Sequence, residues 1–207
     1  MTDWDQVVEG FWSGLLATSP LEAAAVVLGL AYAVLAIRRS RWCWVTGGLA
    51  SAIMIYLSLH ARLPMQAALQ VYYVAISIYG WWHWTREEQA QGTLLISTLP
   101  LAWHAVACAV VLVVSALTAR WLATQTHAAW PFLDSLTTWG SLYATWLEAR
   151  VKLENWLYWL VIDSLLGFLF ATQGLYFVAL LSAVYLGVSA VGFLRWLKTY
   201  RTPIPAS

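Results

Sequence analysis

The stretch YVAISIYGWWHW at residues 73–84 returns 112 residues later as YLGVSAVGFLRW at residues 185–196. Tyr73 meets Tyr185, Ser77 meets Ser189, Gly80 meets Gly192 and Trp84 meets Trp196. Extended outward, the same register lays residues 21–84 over 133–196 without a gap, and adds Arg38/Arg150 and Trp44/Trp156. Leucine and alanine matches are cheap in so apolar a chain. Arg, Trp, Tyr and Gly matches in a single register are not. Repeated hydrophobic halves in a membrane protein imply two bundles around a substrate site near the bilayer midplane, so transport is the leading expectation.

Composition agrees with a membrane. Hydrophobic residues make up 61% of the chain and charged residues 10%, against about 25% charged in soluble domains. Seven apolar runs reach the length of a helical span: 20–37, 43–60, 64–83, 95–118, 132–148, 156–172 and 174–196. The fifth is the weakest, because Asp134, Ser135, Thr137, Thr138 and Ser141 interrupt it, but its repeat partner at 20–37 is a clear span. No soluble domain fits in what remains.

Charge then sets orientation. Arg38, Arg39, Arg41, Arg86, Arg150, Lys152, Arg195, Lys198 and Arg201 fall on one side of these spans, and Arg62 and Arg120 on the other. The positive-inside rule predicts an outside N-terminus and a cytoplasmic C-terminus. The first 19 residues hold Asp3, Asp5 and Glu9 and no base, which excludes a secretory signal. Trp4, Val7, Val8, Phe11 and Leu15 recur at helical spacing, which fits a short interfacial helix and equally a partly ordered tail. Net charge is +1 without a basic block, so no nucleic-acid partner is expected. Cys43 and Cys108 fall in different spans and read as packing residues. His60, His83, His104 and His127 have no ligand spacing, so no metal is expected.

The predicted fold is an all-α polytopic membrane protein of seven transmembrane helices, arranged three plus one plus three. Residues 1–19 form the N-terminal tail or interfacial helix and residues 20–84 the first three-helix repeat. Residues 85–131 are a linker containing span four, residues 132–197 the second repeat, and residues 198–207 a cytoplasmic tail. Because each repeat has an odd number of helices, span four is needed to return the chain so that both halves point the same way, as parallel repeats. It reads as a linker helix with no substrate contact. Pro64 and Pro131 suit helix starts.

Polar side chains inside spans are functional candidates by default. Asn155, Trp159 and Asp163 follow one another at steps of four, with Trp156 beside that face. A carboxylate, two indoles and an amide suit a flat, cationic, hydrogen-bonding solute; a structural hydrogen bond or ion pair at Asp163 stays open. Gln70, Tyr73, Ser77 and Trp81 form a second stripe, where an interhelical glue role for Gln is also open. Together these eight are the candidate substrate-binding residues. Gly80, Trp84, Gly192, Trp196 and Gln173 are candidate gating or hinge positions. Glu22, Asp134 and Glu148 read as helix-end acids, which leaves Asp163 as the deep one. No HExxH, P-loop or GxSxG occurs, so neither an enzyme nor a cofactor is expected.

Several strings carry a family resemblance: QVYY at 70–73 leading into IYGWWHW at 78–84, LENWLYW at 153–159 continuing to Asp163, QGLY at 173–176, and PFLDS at 131–135. Across most of residues 21–201 the chain resembles the PnuC-type vitamin-precursor transporters, whose best-known members carry nicotinamide riboside. The resemblance implies a SWEET-like duplicated bundle, often trimeric, in the bacterial inner membrane. It also implies facilitated diffusion drawn forward by cytosolic phosphorylation, and substrate contacts at Gln70, Tyr73, Asn155 and Trp156. Some members carry Asn where this chain has Asp163, and related branches carry thiamine or riboflavin. The competing expectations are therefore a nicotinamide riboside uniporter feeding NAD biosynthesis, a thiamine transporter, or a membrane-embedded enzyme or scaffold.

Overall fold

Prolines and polar caps cut an otherwise continuous apolar chain into helices. The computed structural model describes residues 3–62, 64–125 and 130–202. Leu63 and His127, and the side chain of Trp4, lie outside the described residues. The helices are α1 (Asp3–Ala17), α2 (Pro20–Ile37), α3 (Trp42–His60), α4 (Pro64–Gln91), α5 (Leu101–Gln125), α6 (Pro131–Ala149), α7 (Asn155–Thr172) and α8 (Tyr176–Arg201). Pro20, Pro64 and Pro131 each open a helix, where a missing N–H costs nothing. Ser19 caps α2 reciprocally: its Oγ accepts from the Glu22 N–H at 3.2 Å, and its own N–H donates to Glu22 Oε2 at 2.7 Å.

Helices occupy all seven apolar runs, with two shifts. α4 continues past residue 83 to Gln91, where Glu88 pairs with Arg41 at 3.5 Å. Span four does not begin at 95, because Pro100 disfavours helix in the residue before it and α5 starts at Leu101. Residues 92–100 instead form a strap. By length and composition α2, α3, α5, α7 and α8 can each cross a membrane. α4 and α6 fall short of that apolarity, because they carry the glutamines, Asp134 and a run of hydroxyls. Val27, Val71, Ile78, Val113, Leu117, Val161 and Leu194 are more than half exposed. Such a spread of bare apolar side chains is a lipid-facing surface, and the protein is an integral membrane protein of several passes.

Packing follows two equivalent sets. α3 packs against α2 and α4, while α7 packs against α6 and α8; between the sets α4 meets α6 and α2 meets α8. The Trp44 ring lies on Gly80 and the Trp156 ring on Gly192, two contacts separated by the same 112 residues. Backbone turns repeat likewise. Arg39 (φ 55°) and Val151 (φ 54°) follow the first helix of each set, and Arg62 (φ 57°) and Gly174 (φ 74°) follow the second. Glycine adopts that left-handed region freely, whereas β-branched Val151 does so at a cost of about 1–3 kcal/mol. The strap holds it there. Ser97 N–H donates to the Val151 carbonyl at 3.1 Å, and Leu153 N–H donates back to the Ser97 carbonyl at 2.9 Å. Arg39 Nη1 donates to the Leu94 carbonyl at 2.9 Å, so one segment ties both short loops.

α1 packs on the start of α8 through Gly10, Phe11 and Gly14, with Phe11 5.7 Å from Phe177. Val8 and Leu15 of the expected stripe are exposed.

A Cβ on Gly80 would stand 2.3 Å from Trp44 Cε2, and one on Gly192 2.5 Å from Trp156 Cε3, whereas one on Gly187 would meet nothing within 4 Å. Gly80→Ala and Gly192→Ala should therefore each cost about 1–3 kcal/mol or more through overpacking. Thermal unfolding in detergent should show both losses, with Gly187→Ala unchanged.

Candidate functional site

Helices α2, α4, α6, α7 and α8 enclose a cavity of about 650 Å³, within the ~300–1,000 Å³ range of small-molecule sites. Gln66 and Asp134, in the first turns of α4 and α6, and Phe170, in the last turn of α7, line one end. Ala36, Glu148 and Trp156, at the opposite ends of their helices, line the other. The cavity thus runs along the helix axes. None of the described residues of α5 lines it.

Below the second end four indoles close the bundle. Trp44 meets Trp84 edge-on at 5.4 Å, Trp84 meets Trp196 at 6.3 Å, and Trp196 meets Trp156 edge-on at 5.6 Å. Trp84 Nε1 donates to the Ala149 carbonyl and Trp196 Nε1 to the Ala36 carbonyl, both at 3.2 Å. Each indole therefore bonds the C-terminal end of a helix in the other set.

Of the candidate binding residues, Gln70, Tyr73, Trp156, Trp159 and Asp163 line the cavity together. Asp163 is 7% exposed, and its Oδ2 accepts from Ser189 Oγ at 2.9 Å. The other three stand elsewhere. Ser77 donates to the Tyr73 carbonyl in its own helix at 2.7 Å. Trp81 stacks edge-on with Trp42 at 5.2 Å, under the Arg41 guanidinium at 5.4 Å. Asn155 is fully buried and donates from Nδ2 to the Lys152 carbonyl at 2.6 Å, which fastens the turn before α7. Among the gating candidates, Gly80, Trp84, Gly192 and Trp196 belong to the indole layer, while Gln173 is exposed at the far end of α7.

Sequence reasoning passed over Tyr32, Tyr185, Ser189 and the α6 face. Asp134, Thr137, Thr138, Ser141 and Glu148 all line the cavity. Their steps of three, four, three and seven make one helical stripe, so the signal was present in the residues that make the fifth span look weak. No Lys, Arg or His lines the cavity among the described residues, against three carboxylates. Trp156 Nε1 and Glu148 Oε1 are buried without a hydrogen-bond partner. A donor, an acceptor, rings and negative charge are thus presented to a solute.

An integral membrane protein of helices around a polar, acidic, aromatic-walled cavity has the build of a small-molecule transporter. Comparison with known proteins gives the family. A sequence profile for the nicotinamide mononucleotide transporters matches residues 19–198, and the chain belongs to that family. It is 30% identical over 175 residues to the nicotinamide riboside transporter PnuC of Escherichia coli (strain K12), covering 72% of this chain and 71% of that protein. It is 26% identical over 184 residues to the riboflavin/roseoflavin transporter RibM of Streptomyces davaonensis, covering 86% and 85%. The crystal structure of the vitamin B3 transporter PnuC superposes with a TM-score of 0.69 at 20% identity, covering 97% of this chain and 93% of that one. The family and the solved fold are those of transporters rather than enzymes.

Ser77 and Ser189 occupy matching positions with different bonds, which makes a paired test. Ser189→Ala strips a buried carboxylate of its donor and should cost about 1–3 kcal/mol. Ser77→Ala removes a bond within one helix and should leave the melting temperature unchanged.

Proposed function

We propose that the protein is a uniporter for nicotinamide riboside in the bacterial inner membrane. Uptake would run down the gradient and be drawn forward by phosphorylation in the cytoplasm. The observation that carries this reading is the cavity in which Asp163 stands beside Trp156, Trp159, Tyr73 and Gln70. Nicotinamide riboside is a permanent pyridinium cation with a carboxamide and a ribose. Ring faces and a carboxylate suit the cation; the glutamine and hydroxyls suit the amide and sugar. Riboflavin, the cargo of one relative, is uncharged and would leave the carboxylates uncompensated. A mononucleotide would set a phosphate against acids in low dielectric with no lining base to meet it.

The same reading makes α2 to α8 seven crossings, with α2–α4 and α6–α8 as parallel repeats, α5 as the returning helix, and the C-terminus in the cytoplasm. The matched Trp–Gly contacts and left-handed turns support the duplication. The excess of Arg and Lys beside the indole layer supports that orientation. In the arrangement described, the four indoles and the strap lie across the cytoplasmic end, and Gly80 and Gly192 let the Trp rings seat there. These are the parts that must part to release cargo.

Binding to purified protein tests the substrate. Nicotinamide riboside should bind and quench tryptophan fluorescence, its mononucleotide and riboflavin should bind far more weakly, and Asp163→Asn should weaken the riboside about tenfold or more without loss of fold. Equal affinity for the mononucleotide would overturn the site. Tighter binding of thiamine, the other flat cation, would move the assignment to that vitamin.

A further inference from the structure

Glu148 reads from the sequence as a helix-end acid that favours nothing in particular. Its surroundings are otherwise. The side chain is 1% exposed, it lines the cavity, and Oε1 has no hydrogen-bond partner. The Tyr32 and Trp159 side chains flank the carboxylate. Arg150, two residues on, turns away, its guanidinium lying 5.8 Å from the centre of the Trp146 ring. A carboxylate buried in a membrane protein without a cationic partner is costly and calls for one.

Symmetry sharpens the point. The duplication places Ala36 opposite Glu148 and Ser51 opposite Asp163. Both acids therefore break the repeat, although the turns, the Trp–Gly seats and the indole donors keep it. A residue needed for the shared fold would be expected in both halves; these two are present in one.

We propose that Glu148 is a second cation-recognition residue of the cavity, holding the positively charged part of the ligand on the cytoplasmic side of Asp163. The inference rests on the transporter reading above and adds a second station to it. Trp159 bridges the two: it flanks Glu148 and lies four residues, about 6 Å of helix rise, before Asp163. A cation bound at one deep carboxylate alone would leave slowly. Two acidic positions at successive depths let it pass from one to the other while each holds it weakly, as multi-site conduction requires.

The test uses full-length protein and two probes, nicotinamide riboside and its reduced dihydropyridine form, which has the same amide and ribose but no charge. Glu148→Gln keeps size and hydrogen bonding. It should weaken the cation about tenfold or more and leave the neutral form unchanged. An equal loss for both probes, with a lowered melting temperature, makes Glu148 a helix tie and overturns the proposal. Unchanged affinity for the cation overturns it too, while leaving the transporter reading intact. Wild-type protein that binds neither probe removes that reading and this inference with it. Should the variant not fold, the wild type decides. Carbodiimide coupling, mapped by peptide mass spectrometry, should be suppressed by saturating nicotinamide riboside at both Glu148 and Asp163. Suppression at Asp163 alone contradicts the proposal.

Discussion

The last carbonyls of a helix have no partner in their own ladder, and inside a membrane protein water is not at hand to supply one. In this protein two indoles answer that need across the interface. Trp196 donates to the end of α2, and Trp84 donates to the end of α6. Because each donor sits on the third helix of one set and each acceptor on the first helix of the other, the exchange clamps the two sets at one end and leaves them free to stand apart at the other. The cavity is the space this leaves. Trp44 and Trp156 brace the clamp from the side, and they fit only because Gly80 and Gly192 offer bare backbone.

The clamp also fixes what the cavity contains. Its floor, formed by Ala36, Glu148 and Trp156, lies directly above the indole layer, and its polar walls come from α4, α6 and α7. α6 carries most of the hydroxyls, and so it is the helix least able to face lipid. α5 covers it instead, with Trp139 Nε1 donating to Thr118 Oγ1 at 3.1 Å. The insert between the halves is thus more than a connection. Its helix shields a polar neighbour, and the strap before it, held by Ser97 and Leu94, binds the loops beneath the clamp. Fold and site place opposite demands on the duplication: the fold uses matching residues, and the acids depart from them.

Much of this was legible in the chain because hydrocarbon leaves few choices. Length and apolarity placed the helices, and the prolines marked the starts of α4 and α6. The strap was not legible, since ISTLP before α5 is apolar enough to read as helix until Pro100 is given its steric due. In the site, Asp163 with Trp156 and Trp159 could be read from spacing along one helix. Ser77 and Trp81 share a stripe with Gln70 and Tyr73 but drop below the cavity, because a stripe of that length passes out of the pocket into the indole layer. Asn155 was misleading for a related reason: at the first position of α7 its amide serves the preceding turn. Glu148 was hidden by its place near a helix end, where an exposed acid is ordinary; only the partner helices make it buried.

Flux of labelled nicotinamide riboside into proteoliposomes tests the central claim most directly. With no energy source the label should enter, stop when the two sides are equal, and exchange with unlabelled riboside inside. Absence of flux, or accumulation above equality under an imposed proton or sodium gradient, would contradict a uniporter built around this cavity.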